Sequence, residues 1–191
     1  MTTIKKQVIT ILFAFIMTTM RGTVVYGEEN NILVAYFSAT GNTRVVAEFV
    51  ADALNASIYE IQPEIPYTSE DLNYRDNSSR ASIEKNAPSS RPEISGTVGN
   101  MDKYDVIFLG YPIWWGQAPR IICTFLESYD FTGKTIVPLC TSGSSGIGSS
   151  VTNLHGLCSD STQWLTGKRL LRDISRDDVA AGYYRKIGLM D

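Results

Sequence analysis

Apolar positions in this chain fall into short, nearly unbroken runs alternating with stretches of helical spacing. Asn31 to Phe37 (NILVAYF), Tyr104 to Gly110 (YDVIFLG) and Thr135 to Cys140 are such runs. Strands buried on both faces of a parallel sheet read this way. Ser57 to Ile61 predicts another short strand, and a last one falls within Gln163 to Leu171. Between them, Val45, Val46, Phe49, Val50, Ala53 and Leu54 recur at helical spacing. They predict a helix from about Asn42 to Asn55. Pro119 to Tyr129 predicts a second, with Ile121, Ile122, Phe125 and Leu126 apolar and Pro119 in the first turn, where a missing N–H costs nothing. A helix from about Ile147 to Leu157 follows the fourth strand. Ser175 with Asp178 resembles a capping box that opens a final helix running to about Ile187.

The character changes from Pro63 to Asp102, where Pro63, Pro66, Pro88 and Pro92 interrupt a polar stretch. A wholly structureless loop of that length is unusual inside a compact domain. One helix with long irregular flanks is expected there, within Arg80 to Asn86 or from as early as Ser69. The order is then β-α-β-(α)-β-α-β-α-β-α. Such alternation implies an α/β fold, a parallel sheet with helices on both faces and right-handed crossovers.

The first residues add a targeting segment. Lys5 and Lys6 precede the mostly apolar run Val8 to Met17, and Val25-Tyr26-Gly27 places small residues at the −3 and −1 positions of a cleavage site. This three-part pattern predicts export, to the periplasm or the extracellular space, after cleavage near Gly27. An uncleaved membrane anchor is the alternative, but the run is short of the roughly 20 residues a span needs. Residues 28–191 are then one domain with no stable membrane span. Removing residues 1–27 takes away Lys5, Lys6 and Arg21 and no acid, so the formal charge goes from −3 to −6. Apolar residues make up 43%, as in ordinary globular domains. Without a basic surface, no nucleic-acid partner is expected. Cys123, Cys140 and Cys158 lack metal-ligand or CxxC spacing. Cys123 and Cys140 read as buried thiols, and Cys140 with Cys158 is a candidate disulfide. His155, the lone histidine, has no nucleophile arrangement around it.

The most informative segment is Ser38-Ala39-Thr40-Gly41-Asn42-Thr43, set between the first strand and the first helix. Backbone N–H groups at a helix N-terminus form an anion site. Ser38, Thr40 and Thr43 add hydroxyl donors, and Gly41 allows close backbone approach. A plain helix cap needs only one such residue. A GxxxxGK[ST] phosphate loop and a GxGxxG fingerprint are both absent here. At these residues the chain resembles the flavodoxin family, whose first loop has the form [Ser/Thr]-x-Thr-Gly-x-Thr. The resemblance spans about residues 31–189. It implies a three-layer, doubly wound, five-stranded parallel sheet of order 2-1-3-4-5 that binds flavin mononucleotide (FMN) at the switch point.

The resemblance also implies two flavin loops. Gly110-Tyr111-Pro112-Ile113-Trp114-Trp115-Gly116 follows the third strand, and one of its indoles is expected to stack on the isoalloxazine while the other packs inward. Packing of both is the alternative. Thr141-Ser142-Gly143-Ser144-Ser145-Gly146 follows the fourth strand, and its N–H and hydroxyl groups are expected at the pyrimidine edge. Composition alone would allow a simple turn there. Well-known flavodoxins place a tyrosine in that second loop and crowd acids around the flavin. Here residues 141–150 hold no aromatic, neither loop holds an acid, and Arg120 lies just beyond the first. The expectation is a less negative reduction potential and one partly open flavin face. Tyr67, Tyr74 and Arg80 are placed over the site by position alone.

The function implied is FMN-dependent electron transfer with an unidentified redox partner protein or a small acceptor such as a quinone. The cofactor would carry the redox chemistry, with no side chain needed as acid or base. Two rivals share the fold: an FMN-dependent NAD(P)H:quinone-type oxidoreductase, and a flavin-free binding module.

Overall fold

The computed structural model describes residues 31–171 and 173. The leader expected at residues 1–27 and the helix expected from Ser175 lie outside the described residues. Strands β1 (Ile32–Tyr36), β2 (Ser57–Glu60), β5 (Val106–Pro112), β6 (Thr135–Thr141), β7 (Gln163–Trp164) and β8 (Lys168–Arg169) form one sheet. Every pairing in it is parallel, in the order β2-β1-β5-β6-β7, with β8 also on β6. This is the expected 2-1-3-4-5 arrangement, except that its fifth strand is broken in two.

The break has a local cause. Ile136 and Cys140 accept from Leu165 N and Leu170 N across the edge. By alternation, the backbone nitrogen of Pro138 faces the same edge and has no proton to give. Register moves from Ile136↔Trp164 to Leu139↔Lys168, so the edge strand gains one residue on β6, a bulge. Gly167 sits at that point. A Cβ added there would come within 2.5 Å of Ile147 Cδ1 and 3.0 Å of Pro138 Cβ.

Helix α1 (Asn42–Leu54) covers one sheet face. Val46, Ala47, Val50, Ala51 and Leu54 pack on Ile32, Val34, Tyr36, Phe108, Val137, Leu139 and Leu170. The other face carries Leu33, Ala35, Phe37, Ile107, Leu109, Tyr111, Ile136 and Cys140, packed with Ile121, Ile122, Phe125 and Leu126 of helix α3 (Arg120–Glu127). Three layers result, with a buried hydrophobic cluster on each side of the sheet. Pro119 caps α3 rather than entering its first turn.

The crossover after β2 contains helix α2 (Arg80–Asn86), capped by Ser79, whose side chain accepts from Ser82 N. It also contains an antiparallel pair not expected from the sequence, β3 (Gln62–Pro63) with β4 (Ile94–Ser95). The helix expected at Ile147–Leu157 shrinks to a 3-10 turn, Gly148–Ser150, and one α-turn, α4 (Thr152–His155). Ser150 Oγ donates to Ile147 O at 2.5 Å and Thr152 Oγ1 to Ser149 O at 3.0 Å. Such side-chain bonds compete with the helical ladder. Cys123, Cys140 and Cys158 are all free thiols, so the candidate Cys140–Cys158 disulfide is not formed. Among the described residues, no helix is long and apolar enough to cross a membrane.

Candidate functional site

Three loops leave the carboxyl ends of β1, β5 and β6, and their residues line one cavity of about 600 Å³. Open parallel sheets bind ligands at this edge, beside the strand-order switch. The β1 loop contributes Ala39, Thr40, Asn42 and Thr43. The β5 loop contributes Pro112, Ile113, Trp114 and Trp115, and the β6 loop Thr141, Ser142 and Gly143. Ser38, Gly41, Gly116, Ser144 and Gly146 belong to the same loops but lie outside the lining. Leu72, Tyr74, Ala81, Leu170 and Leu171 complete it. Of these only Tyr74 had been placed near the site from sequence. Leu170 and Leu171 were not, because the bulge at Pro138 decides which way the edge strand turns its side chains.

The β1 loop fits a phosphate monoester. Gly41 takes the N-cap position of α1 in the left-handed region (φ 83°) with no side-chain cap bond. Ser38 Oγ is buried without a hydrogen-bond partner, an arrangement that costs free energy unless a ligand completes it. Asn42 Nδ2 donates to Thr40 Oγ1 at 3.1 Å, and the Thr43 and Thr141 hydroxyls bond each other at 2.8 Å, both residues buried. Gly110 lets the helix start come close. A Cβ there would lie 3.1 Å from Tyr36 Cβ and 3.5 Å from Thr43 Cγ2.

The two tryptophans divide. Trp114 is partly buried and meets Phe37 (5.7 Å) and Tyr67 (5.4 Å) edge to face. Trp115 is 39% exposed and sits in a tight turn, φ 48°, followed by Gly116 at φ 77°. Trp114 and Gln117 close that turn with two backbone bonds of 2.9 Å. A left-handed conformation is uncommon for a bulky side chain, and it leaves the indole at the cavity with Lys85 Nζ 5.8 Å from its ring.

Tyr67 and Arg80 lie behind the lining. Tyr67 donates to Glu84 Oε2 at 2.5 Å, Arg80 Nε bonds Glu84 Oε1 at 2.7 Å, and the Arg80 guanidinium stacks 4.1 Å from the Tyr67 ring. Burial and the Glu84 carboxylate push the Tyr67 phenol well above its usual range, so it stays protonated. Arg120 donates to the Glu84 and Lys85 carbonyls at the end of α2. It fastens α2 instead of lining the cavity. His155 packs against Trp164, outside the lining.

The lining residues include no charged side chain. Hydroxyl and amide groups gather at the β1 and β6 loops, and apolar groups at the crossover and edge strand. The cavity therefore offers hydroxyl and amide groups at one end and apolar walls at the other.

Residues 31–186 match the flavodoxin family. A candidate flavoprotein of Bacteroides eggerthii is 44% identical, with a TM-score of 0.77, and the match covers 82% of this chain and 97% of that one. A candidate flavoprotein of Bacteroides uniformis is 46% identical over 78% and 94%, with a TM-score of 0.74. A flavoprotein of Lactobacillus acidophilus, solved in complex with FMN, shares the fold at 21% identity and a TM-score of 0.59, covering 72% and 91%. No curated protein matches the chain. With the family matched from β1 to beyond β8, and two close structural relatives spanned nearly end to end, the chain belongs to the flavodoxin family.

Proposed function

We propose that this protein binds FMN non-covalently and uses it to transfer electrons. FMN is the cofactor at the switch point of the flavodoxin fold. The observation that carries the reading is the cavity together with its β1 loop, in which Ser38, next to the lining residues Ala39 and Thr40, keeps a buried, unpartnered hydroxyl, while an exposed Trp115 of the β5 loop lines the same cavity. Ser38, Thr40, Asn42, Thr43 and the N–H groups around Gly41 would hold the phosphate. Trp115 would take the ring face, and the Thr141–Gly143 backbone the pyrimidine edge. Trp114 positions the loop from beneath. Bound FMN supplies the redox chemistry, and the chain orients it and sets its potential.

Titration of the full chain with FMN, followed by tryptophan emission and visible absorption, tests this reading. One-to-one saturation with quenched emission and a shifted flavin band is expected. A folded sample that shows no binding at high micromolar FMN would remove the cofactor and the electron-transfer role together.

A reductase reading is favoured by one observation, the uncharged lining with exposed Tyr74 and Leu171 at its mouth. Such a mouth suits a small neutral acceptor such as a quinone. Steady-state NAD(P)H oxidation with a quinone separates the two, since a pure carrier turns over little. Export after cleavage near Gly27 is proposed as well, and N-terminal sequencing of the protein recovered outside the cytoplasm tests it.

A further inference from the structure

We infer that Tyr74, carried by the crossover segment and not by either loop after β5 or β6, forms the outer wall for the flavin ring. This inference rests on the FMN reading above. The loop after β6 holds no aromatic residue from 141 to 150, so it offers no ring to that face. The cavity nevertheless has two exposed aromatic side chains in its lining, Trp115 and Tyr74, the latter 65% exposed. An aromatic ring gains packing from a flat partner beyond simple burial. Tyr74 has one face already taken. The Arg75 guanidinium lies 5.4 Å from its ring centroid, and Arg75 Nε donates to the Tyr74 hydroxyl at 3.2 Å. A planar ligand takes the other face.

The ring stands on an ordered base. Asn73 Oδ1 accepts from Arg75 N at 3.1 Å, and the Asp76 carboxylate accepts from Ser78 N at 2.8 Å and Ser78 Oγ at 2.6 Å. Ala81 N donates to Asp71 O at 3.0 Å, tying these turns to α2. A wall fixed before binding loses little conformational freedom when the ligand arrives. It also brings the Arg75 charge to a site whose lining has none.

FMN binding by the full chain is compared for the wild type, Tyr74→Ala and Tyr74→Phe, with Kd from fluorescence and the visible circular dichroism of bound flavin as a second readout. Far-UV dichroism checks that each variant is folded, which the exposure of Tyr74 favours. Tyr74→Ala is expected to raise Kd by about three- to tenfold and to change the flavin dichroism. Tyr74→Phe is expected to keep both. A wild type that binds FMN while Tyr74→Ala binds it equally, with unchanged dichroism, overturns the inference and leaves the FMN reading standing. A wild type that binds no FMN overturns both.

Discussion

At the scale of single residues, the site holds two features that act against stability. Ser38 keeps a buried hydroxyl without a partner, and Trp115 holds a left-handed backbone. Ser38→Ala should leave thermal stability unchanged or slightly raised, because it removes an unsatisfied polar group. The same change should weaken FMN binding by about tenfold or more, the worth of a hydrogen bond to a charged group. Melting curves and titrations on one sample check both signs. Trp115→Gly should stabilise the FMN-free chain by about 1 kcal/mol, since glycine accepts the turn without strain, and should loosen FMN. A destabilised FMN-free variant in the melting curve would contradict this. The β1 loop was legible in the sequence because its chemistry is local, with hydroxyls around a glycine at a strand–helix junction. The division of labour between Trp114 and Trp115 was not legible. It follows from a turn closed by Gln117, and nothing in the apolar pattern marks that turn.

At the scale of elements, the edge strand is the informative case. A run from Gln163 to Leu171 predicts one strand, and the structure makes two around Gly167. The reason lies in another element, since Pro138 withholds a donor in β6 and Gly167 fits the space that remains. Gly167→Ala must move Ile147 or the edge strand by some tenths of an ångström. A loss of about 1–3 kcal/mol is expected from overpacking, read by chemical denaturation. Because Leu170 and Leu171 follow directly, FMN affinity should fall as well. An alanine variant of wild-type stability and affinity would show that the bulge does not hold the cavity wall. The shortened helix after β6 has a different origin. Its serine and threonine hydroxyls satisfy nearby carbonyls, and periodicity of apolar residues does not report such competition.

For the whole molecule, the layering was legible because buried parallel strands are uniformly apolar and crossovers have one hand, whereas the strand order came only with the family resemblance carried by residues 38–43. In the crossover from residue 64 to 93 the helix Arg80–Asn86 was legible, and the rest only as polar and interrupted. The crossover's role in walling the cavity depends on contacts distant in sequence, Tyr67 with Trp114 and Arg120 with the end of α2. Burial of thiols gives a global prediction. Desolvation pushes Cys140 up to about 11, with Arg169 partly opposing, and pushes Cys158 up to about 11. Between the ordinary thiol value near 9 and those values, the folded chain keeps protons that the unfolded chain has lost. Stability therefore falls as pH rises from about 9 to 11, by roughly 2 kcal/mol for Cys140. Melting temperature measured against pH should be flat around neutrality and decline over that window. Thiol reagents should label native Cys140 and Cys158 slowly at neutral pH and rapidly after unfolding.

The hydroxyl pair Thr43–Thr141 joins the start of α1 to the end of β6, and each hydroxyl has a single proton to spend. Once Thr43 turns its proton toward an anion in the β1 loop, Thr141 must donate to Thr43 and can no longer donate elsewhere. With no anion there, the pair is free to run the other way. The direction of one hydrogen bond thus reports, at the far loop, whether the near loop is filled. Inorganic phosphate and a phosphate-free flavin such as riboflavin would then bind to this protein as coupled ligands, each changing the affinity for the other.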